Sequence, residues 1–354
     1  MTSPHKISDG EVVLITGATS GIGRGLAERF AASKSPSVSH VYITGRRQEL
    51  LDEISAIYPN VTGICFDPSN LEEIPAFAKR AVEELGVTLF LLNAGMQRGI
   101  DFTAPAADLD VLKAEFTLNF YAPVTFIREL IPLLNASGKA ASIGVTTSGL
   151  AFAPIARMPG YCATKAAMRS FLLSIRRQLE NEGAKNHIAI IEIAPPLVQT
   201  ELHDVKHQPD FANVDMTDVG VPLDAYCDDT FKKIMSGGVD EIFYPGPTGS
   251  GVWEDKVGKH QRAFVNMMPV RNGDPLKLPQ TPGLDAAAKV QLRAFATELP
   301  RHVTDRLMKA AIIRIALVLR ESSFKLATGG QGRRGDLSIV GRAVTNTGAS
   351  TALA

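Results

Sequence analysis

The sequence predicts an α/β fold, a doubly wound parallel sheet of about seven strands with helices on both faces. Three observations predict it. Short apolar runs alternate with segments of helical period from Glu11 to Tyr244. A glycine-rich string, Thr16-Gly17-Ala18-Thr19-Ser20-Gly21-Ile22-Gly23, stands between the first strand and the first helix. The polar clusters fall at the carboxyl ends of strands or in the helices that follow, where open α/β sheets hold their ligands.

Glu11–Thr16 is a β-branched apolar run followed by glycines, the pattern of a buried parallel strand. In Gly21–Ala32, Ile22, Leu26 and Phe30 share one helical face. His40–Thr44 is the second strand, and Glu49–Ile57 is a helix stopped by Pro59. Val61–Phe66 is a strand, Leu71–Leu85 a helix and Val87–Leu92 the fourth strand. Helices over Leu109–Asn119 and Ala122–Asn135 precede the strand Ala140–Val145. Tyr161–Glu182 is a long helix ended by Gly183, and His187–Ile193 a strand stopped by Pro195 and Pro196. A helix over Pro222–Met235 and a short strand, Glu241–Tyr244, complete the alternation.

Composition sets the outer bounds. Apolar residues make up 45% and charged residues 21%, ordinary values for a globular protein. Cys65, Cys162 and Cys227 are scattered, which argues against a disulfide framework or a zinc site and fits a reducing, cytoplasmic setting. No secretory signal and no spanning apolar run is evident. The net charge of +0 conceals an acidic excess before residue 270 and a basic excess after it. The alternation divides the chain into a domain over 1–246, an uncertain helical extension over 247–327 and a small-residue tail over 328–354 that reads as disordered.

Glycines after a first strand let backbone approach a pyrophosphate, and the helix they open directs unpaired N–H groups at it. A tight turn without a ligand is the plainer reading; the placement after the first strand weighs against it. The second strand ends in Thr44-Gly45-Arg46-Arg47. An acidic residue here binds a ribose 2′-hydroxyl, whereas Gly45 followed by Arg46 suits a 2′-phosphate. That predicts NADP(H) over NAD(H). The alternative for the two arginines is a solvated helix start.

The glycine string matches the TGxxxGIG motif of the short-chain dehydrogenase/reductase family, and further matches follow in order. These are Asn93-Ala94-Gly95, Asn119, Ser148, Tyr161, Lys165 and the segment Ala194–Thr200, which resembles PGxVxT. The resemblance spans residues 10–246 and implies a Rossmann-like domain. Within the family, NAGMQRGIDF and GYCATKAA resemble the DltE-like oxidoreductases, fungal members among them. The resemblance implies that Gly17, Thr19, Ser20, Gly21, Ile22, Gly23, Asn93, Ala94, Gly95, Val198 and Thr200 contact the cofactor. It makes Asp67 the acceptor for the adenine amino group, although Pro68 lacks the N–H that relatives offer beside it. It also assigns Lys165 to the nicotinamide ribose and Asn119 to a proton path with a water and Lys165.

Tyr161 and Lys165 stand four apart on a helix and share a face. A nearby ammonium is expected to lower the phenol pKa, making Tyr161 a usable acid and base. Ser148 would hydrogen-bond the reacting oxygen. Alone, such a pair reads as a solvated helix face; its position behind the glycine turn reverses that reading. Thr147 is the competing hydroxyl, and the thirteen-residue gap to Tyr161 favours Ser148. Cys162 reads as a packing residue. His203, Asp204 and His207 form a loop cluster that reads as solvated, and no metal is expected.

Substrate contacts are expected from Met96, Gln97 and Arg98, from Phe152–Met158, and from Leu197–Phe211. The function expected is NADPH-linked interconversion of a small-molecule ketone or aldehyde with its alcohol. NAD-dependent alcohol oxidation and a non-catalytic nucleotide-sensing scaffold are the alternatives. Met308–Leu319 is apolar but short, so the stretch 300–325 could touch a membrane surface without spanning it. No nucleic-acid motif is present. By analogy, the helices near 109–135 and 161–182 could form a homo-oligomer.

Overall fold

The computed structural model describes residues 9–34, 38–103, 108–183, 187–208 and 220–244. The expected helical extension, the tail and the membrane-contact stretch lie outside these residues.

Seven parallel strands form one sheet, β1 (Glu11–Thr16), β2 (Val38–Gly45), β3 (Val61–Cys65), β4 (Leu89–Leu92), β5 (Ala141–Thr146), β6 (Ile188–Ala194) and β7 (Glu241–Phe243). Their spatial order is β3-β2-β1-β4-β5-β6-β7. The chain winds outward from β1 to β3, then returns to pair β4 beside β1 and winds the other way. A crevice therefore opens beyond the carboxyl ends of β1 and β4.

Alternate side chains of each strand feed two separate cores. Val13, Ile15, Leu89, Leu91, Ile191 and Ile193 face the helices α1 (Gly21–Ala31), α2 (Gln48–Ile57) and α7 (Leu223–Ser236). Leu14, Phe90, Leu92, Ile143, Val145 and Ile190 face α3 (Ile74–Glu83), α5 (Ala122–Ser137) and α6 (Pro159–Asn181). Burial of both faces explains why the strands read as continuous apolar runs.

The differences from the sequence expectation are local. The helix expected over Leu71–Leu85 is regular only over Ile74–Glu83. The one expected over Leu109–Asn119 stops early: α4 covers Leu109–Phe116, capped by the Asp108 carboxylate on Asp110 N and Val111 N. A π turn over Thr117–Tyr121 then joins α4 to α5, with Ala122 N donating to Thr117 O. The helix α6 starts two residues earlier than expected, because Pro159 suits a first helical position, where no N–H is needed.

Phe66 stacks on Phe77 with centroids 4.2 Å apart, and Phe126 meets both edge-on at 6.1 and 6.2 Å. Phe126 is buried and belongs to the same core. Phe126→Ala is therefore expected to cost about 3–5 kcal/mol, measured as a lower urea midpoint at unchanged slope.

Candidate active site

The glycine turn is held by close backbone packing. Gly17 has φ +65°, and a Cβ there would lie 2.7 Å from Ala94 Cα. Thr16 Oγ1 accepts from Asn93 N at 3.0 Å and from Ala94 N at 3.1 Å. Asn93 Nδ2 donates to Gly17 O at 3.2 Å and its Oδ1 accepts from Thr146 Oγ1 at 3.2 Å. The loops after β1, β4 and β5 are thus tied together. Gly21, at φ +56°, leaves room for the Thr200 methyl, which brings in the loop after β6. Val198 is buried and bridges to Val221. Between these loops lies a cleft of about 500 Å³ lined by Gly17, Thr19, Ser20, Gly21, Ile22, Asn93, Ala94 and Gly95 among others.

The far end of the cleft is cationic. Gly45 sits against Thr19, whose methyl occupies the space a side chain would need. Arg46 reaches the cleft rim, largely exposed, with its guanidinium 3.8 Å from Asp67 Oδ2. Arg47 turns inward: its guanidinium donates to Thr19 Oγ1 at 2.8 Å, Ser20 Oγ at 3.0 Å and Glu201 Oε2 at 3.1 Å. Asp67 Oδ1 is engaged by Ser69 N and Oγ at 2.9 and 2.7 Å. Lys206 and His207 also line the cleft. Sequence reasoning singled out Arg46 and missed Arg47 as a cleft residue, while Lys206 and His207 fall in the Leu197–Phe211 stretch that was expected to touch substrate. Two arginines at a strand–helix corner were the available signal for Arg47.

Tyr161, Lys165 and Ser148 meet at the inner end. All three are buried, and Ser148 and Tyr161 share a side-chain hydrogen bond. Ser148 Oγ also accepts from Leu150 N at 3.1 Å. Thr147 turns the other way, donating to Glu192 Oε1 at 2.7 Å. Lys165 Nζ donates to Thr146 O at 2.8 Å and lies 5.5 Å from the Tyr161 ring centre. Burial lowers the Lys165 pKa to about 8.

The expectation that Lys165 lowers the phenol pKa is corrected here. Burial pushes Tyr161 well above the ordinary tyrosine value, and the bond with Ser148 offsets only part of that. The ammonium points at a backbone carbonyl instead of the phenol oxygen. In this geometry Tyr161 stays a proton donor.

Asn119 sits in the π turn, buried, and grips the backbone of Met96: Nδ2 donates to Met96 O at 2.8 Å and Oδ1 accepts from Met96 N at 2.9 Å. Nδ2 also donates to Thr164 Oγ1 at 3.2 Å. Asn119 therefore pins the loop after β4 onto α6. Gly95 keeps this junction open, since a Cβ there would lie 3.2 Å from Asn119 Oδ1 and 3.7 Å from Lys165 Nζ.

Beyond Ser148 and Tyr161 is a second cavity of about 330 Å³. Leu150, Ala153, Ile155, Met158, Pro196 and Leu197 supply much of its wall. Met96 and Arg98 line the charged cleft instead, so the three residues expected to touch substrate divide between the two spaces, Gln97 alone facing the second. Cys162 is buried with Sγ 3.9 Å from Ile155 O. Among the described residues no group of three His, Cys, Asp or Glu side chains is placed to hold a metal ion. None of their helices is long and apolar enough to cross a membrane.

Glu115 is a further residue that sequence reasoning missed. It lies four positions before Asn119, fully buried, with Oε1 accepting from Arg98 N at 2.8 Å and Oε2 packed against Gly160 without a hydrogen-bond partner. Burial raises its pKa to about 7, opposed by Arg98.

A parallel sheet with a glycine turn at its reversal point, and a Tyr–Lys pair at the same strand ends, defines a dinucleotide-dependent oxidoreductase. The short chain dehydrogenase family profile matches residues 11–210, so the chain belongs to that family. The uncharacterized oxidoreductase DltE of Bacillus subtilis (strain 168) is 38% identical over 192 residues, 54% of this chain and 73% of that protein. The 11-beta-hydroxysteroid dehydrogenase 1A of Arabidopsis thaliana is 31% identical over 221 residues, and the match spans 60% of each chain. A short chain dehydrogenase from Burkholderia cenocepacia J2315, solved in complex with NADP, superposes with a TM-score of 0.57 at 24% identity. That superposition covers 75% of this chain and 100% of the other, and shows the shared fold.

The raised Glu115 pKa gives a pH test. The folded chain holds this proton more tightly than the unfolded chain, so the stability it contributes is lost as pH rises from 4.5 through about 7. Glu115→Gln cannot titrate. Its melting temperature relative to the parent protein is expected to climb between about pH 5 and about pH 8 and then level off, read by thermal denaturation across buffers.

Proposed function

We propose that the protein reduces a ketone or aldehyde to an alcohol with NADPH, reversibly, with Tyr161 as general acid. The observation that carries this reading is that Tyr161 lines both cavities. On one side Lys165 and the glycine turn face the charged cleft, and on the other Ser148 faces the apolar cavity. A carbonyl seated between them meets the phenol and the serine hydroxyl together.

A nicotinamide dinucleotide fits the residues present. The opening turn of α1 faces the cleft through Ser20, Gly21 and Ile22, with N–H groups suited to a pyrophosphate. Arg46, Arg47 and Lys206 supply cationic donors to the cleft for a 2′-phosphate, Gly45 puts no carboxylate at the end of β2, and the nearby Asp67 and Glu201 carboxylates are each paired with one of the arginines. That donor set favours NADPH over NADH. Solved relatives carry NADPH in one case, from Sphingobium yanoikuyae, and NAD in another, from Burkholderia phymatum. When bound, the cofactor supplies the hydride to the carbonyl carbon.

The chain's own residues manage the proton and the charge. Tyr161 donates its phenolic proton to the carbonyl oxygen as negative charge grows there. Its raised pKa keeps the phenol protonated beforehand, which suits reduction. Ser148 donates to the same oxygen and stabilises the developing alkoxide. Lys165 remains largely cationic at neutral pH, with its pKa near 8, and offsets the charge left on the phenolate. Asn119 holds the Met96 backbone and Thr164, which keeps the floor beneath Lys165 in place.

Two outcomes are expected. Tyr161→Phe lowers kcat/KM for carbonyl reduction by about a hundred- to ten-thousand-fold while NADPH binding is retained, and unchanged turnover refutes the acid role. The double variant Arg46→Ala/Arg47→Ala weakens NADPH by about ten- to a hundredfold and leaves NADH nearly unaffected, measured by fluorescence titration.

A further inference from the structure

The two cavities that meet at Tyr161 differ in charge. Among the described residues that line the second one there is no Asp, Glu, Lys or Arg. His203 is its single titratable side chain besides Tyr161 and Tyr244, and burial together with nearby Arg157 holds its pKa at about 4, neutral at physiological pH. A charged group entering this space would lose its water and meet no Asp, Glu, Lys or Arg among the described lining residues.

One wall carries a fixed polar device. Gln97 is 2% exposed and lines the cavity, while Gln208 is 1% exposed behind it. Gln208 Nε2 donates to Gln97 Oε1 at 2.9 Å and to Leu202 O at 2.7 Å. Both amide hydrogens of Gln208 are thereby used, which sets its orientation. Gln208 Oε1 is buried with no partner, so the pair keeps this arrangement at the expense of one acceptor. With one lone pair of its oxygen engaged and its end fixed by Gln208, Gln97 offers chiefly the Nε2 hydrogens to whatever fills the cavity.

We infer that the substrate is an uncharged, largely apolar carbonyl compound with a second neutral acceptor oxygen, bound by Gln97 Nε2 and distinct from the oxygen that meets Ser148 and Tyr161. This rests on the carbonyl-reduction reading above and adds a specificity site to it. Gln97 is the specificity residue. Gln208 is a positioning residue that acts through Gln97 by fixing which end of its carboxamide faces inward. Ethers, esters and hydroxyl groups all present such an acceptor, whereas carboxylates and ammonium groups are excluded.

Four acetophenones with the same reacting carbonyl test the inference: the parent compound and its para-methoxy, para-carboxylate and para-trimethylammonium derivatives. The full chain is assayed for NADPH-linked reduction, and binding is measured separately by ligand-observed NMR. The methoxy compound is expected to bind about tenfold better than the parent compound, and the two charged ones about a hundredfold worse. Gln97→Leu and Gln208→Leu are each expected to bring the methoxy-to-parent ratio close to one, a change that general loosening of the fold would not produce. Charged compounds binding as well as neutral ones, a methoxy advantage that survives Gln97→Leu, or no binding by any of the four overturns the inference. Neutral compounds that bind in the expected pattern without being reduced support this site and refute carbonyl reduction.

Discussion

The arrangement depends on burying a polar stripe of one helix. Tyr161, Lys165 and Arg169 stand four apart along α6 and are all buried. Ionic groups can be held this deeply only where each finds a partner. The sheet provides one for each position in turn. Ser148, just after β5, bonds Tyr161, and the last carbonyl of β5 takes Lys165. Glu192 of β6 and Glu241 of β7 take Arg169, and Arg176 extends the cluster to Glu241 and Ile190 O. Because the partners lie on three neighbouring strands, sliding α6 along the sheet would unpair several charges together. The Arg169 guanidinium also lies over the Phe152 ring at 4.2 Å.

That anchoring explains how a tyrosine can stand between two dissimilar spaces. The outer cleft gathers Arg46, Arg47, Arg98 and Lys206, a charged trough suited to phosphates. The inner one presents aliphatic side chains, prolines and the neutral amide of Gln97. Apart from Lys165, the cationic side chains that line these spaces lie in the outer cleft, and none lines the inner space among the described residues. That separation leaves Tyr161 in a low-dielectric setting where donation by Ser148 is strong.

Much of this was legible in the sequence, and the rest was hidden for identifiable reasons. The sheet could be read because strands buried on both faces show as unbroken apolar runs, and Tyr161 and Lys165 share a face by helical period alone. Glu115 was not legible: a lone acid within Leu109–Phe116 resembles a solvent-facing residue. Its burial arises from Gly160, far away in sequence, having no side chain to exclude it. Arg47 was overlooked because adjacent residues at a strand–helix corner diverge, and local rotation decides which one turns inward. The phenol pKa was misjudged because spacing places Lys165 beside Tyr161 but reveals neither the burial of the phenol, which raises its pKa, nor that the ammonium points at Thr146 O.

The π turn at Thr117–Tyr121 escaped the periodicity for a related reason, being a single extra residue in an otherwise helical stretch. Its consequence is angular. One residue in a helix corresponds to a rotation of roughly 100°. The extra residue therefore acts as a phase shifter, letting α5 show its apolar stripe to the sheet while α4 directs Glu115 toward the start of α6. Deleting any one of these five residues would turn the two segments into a continuous α-helix whose halves could no longer both face their partners. Length at this point in the chain carries structural information independent of which amino acids supply it.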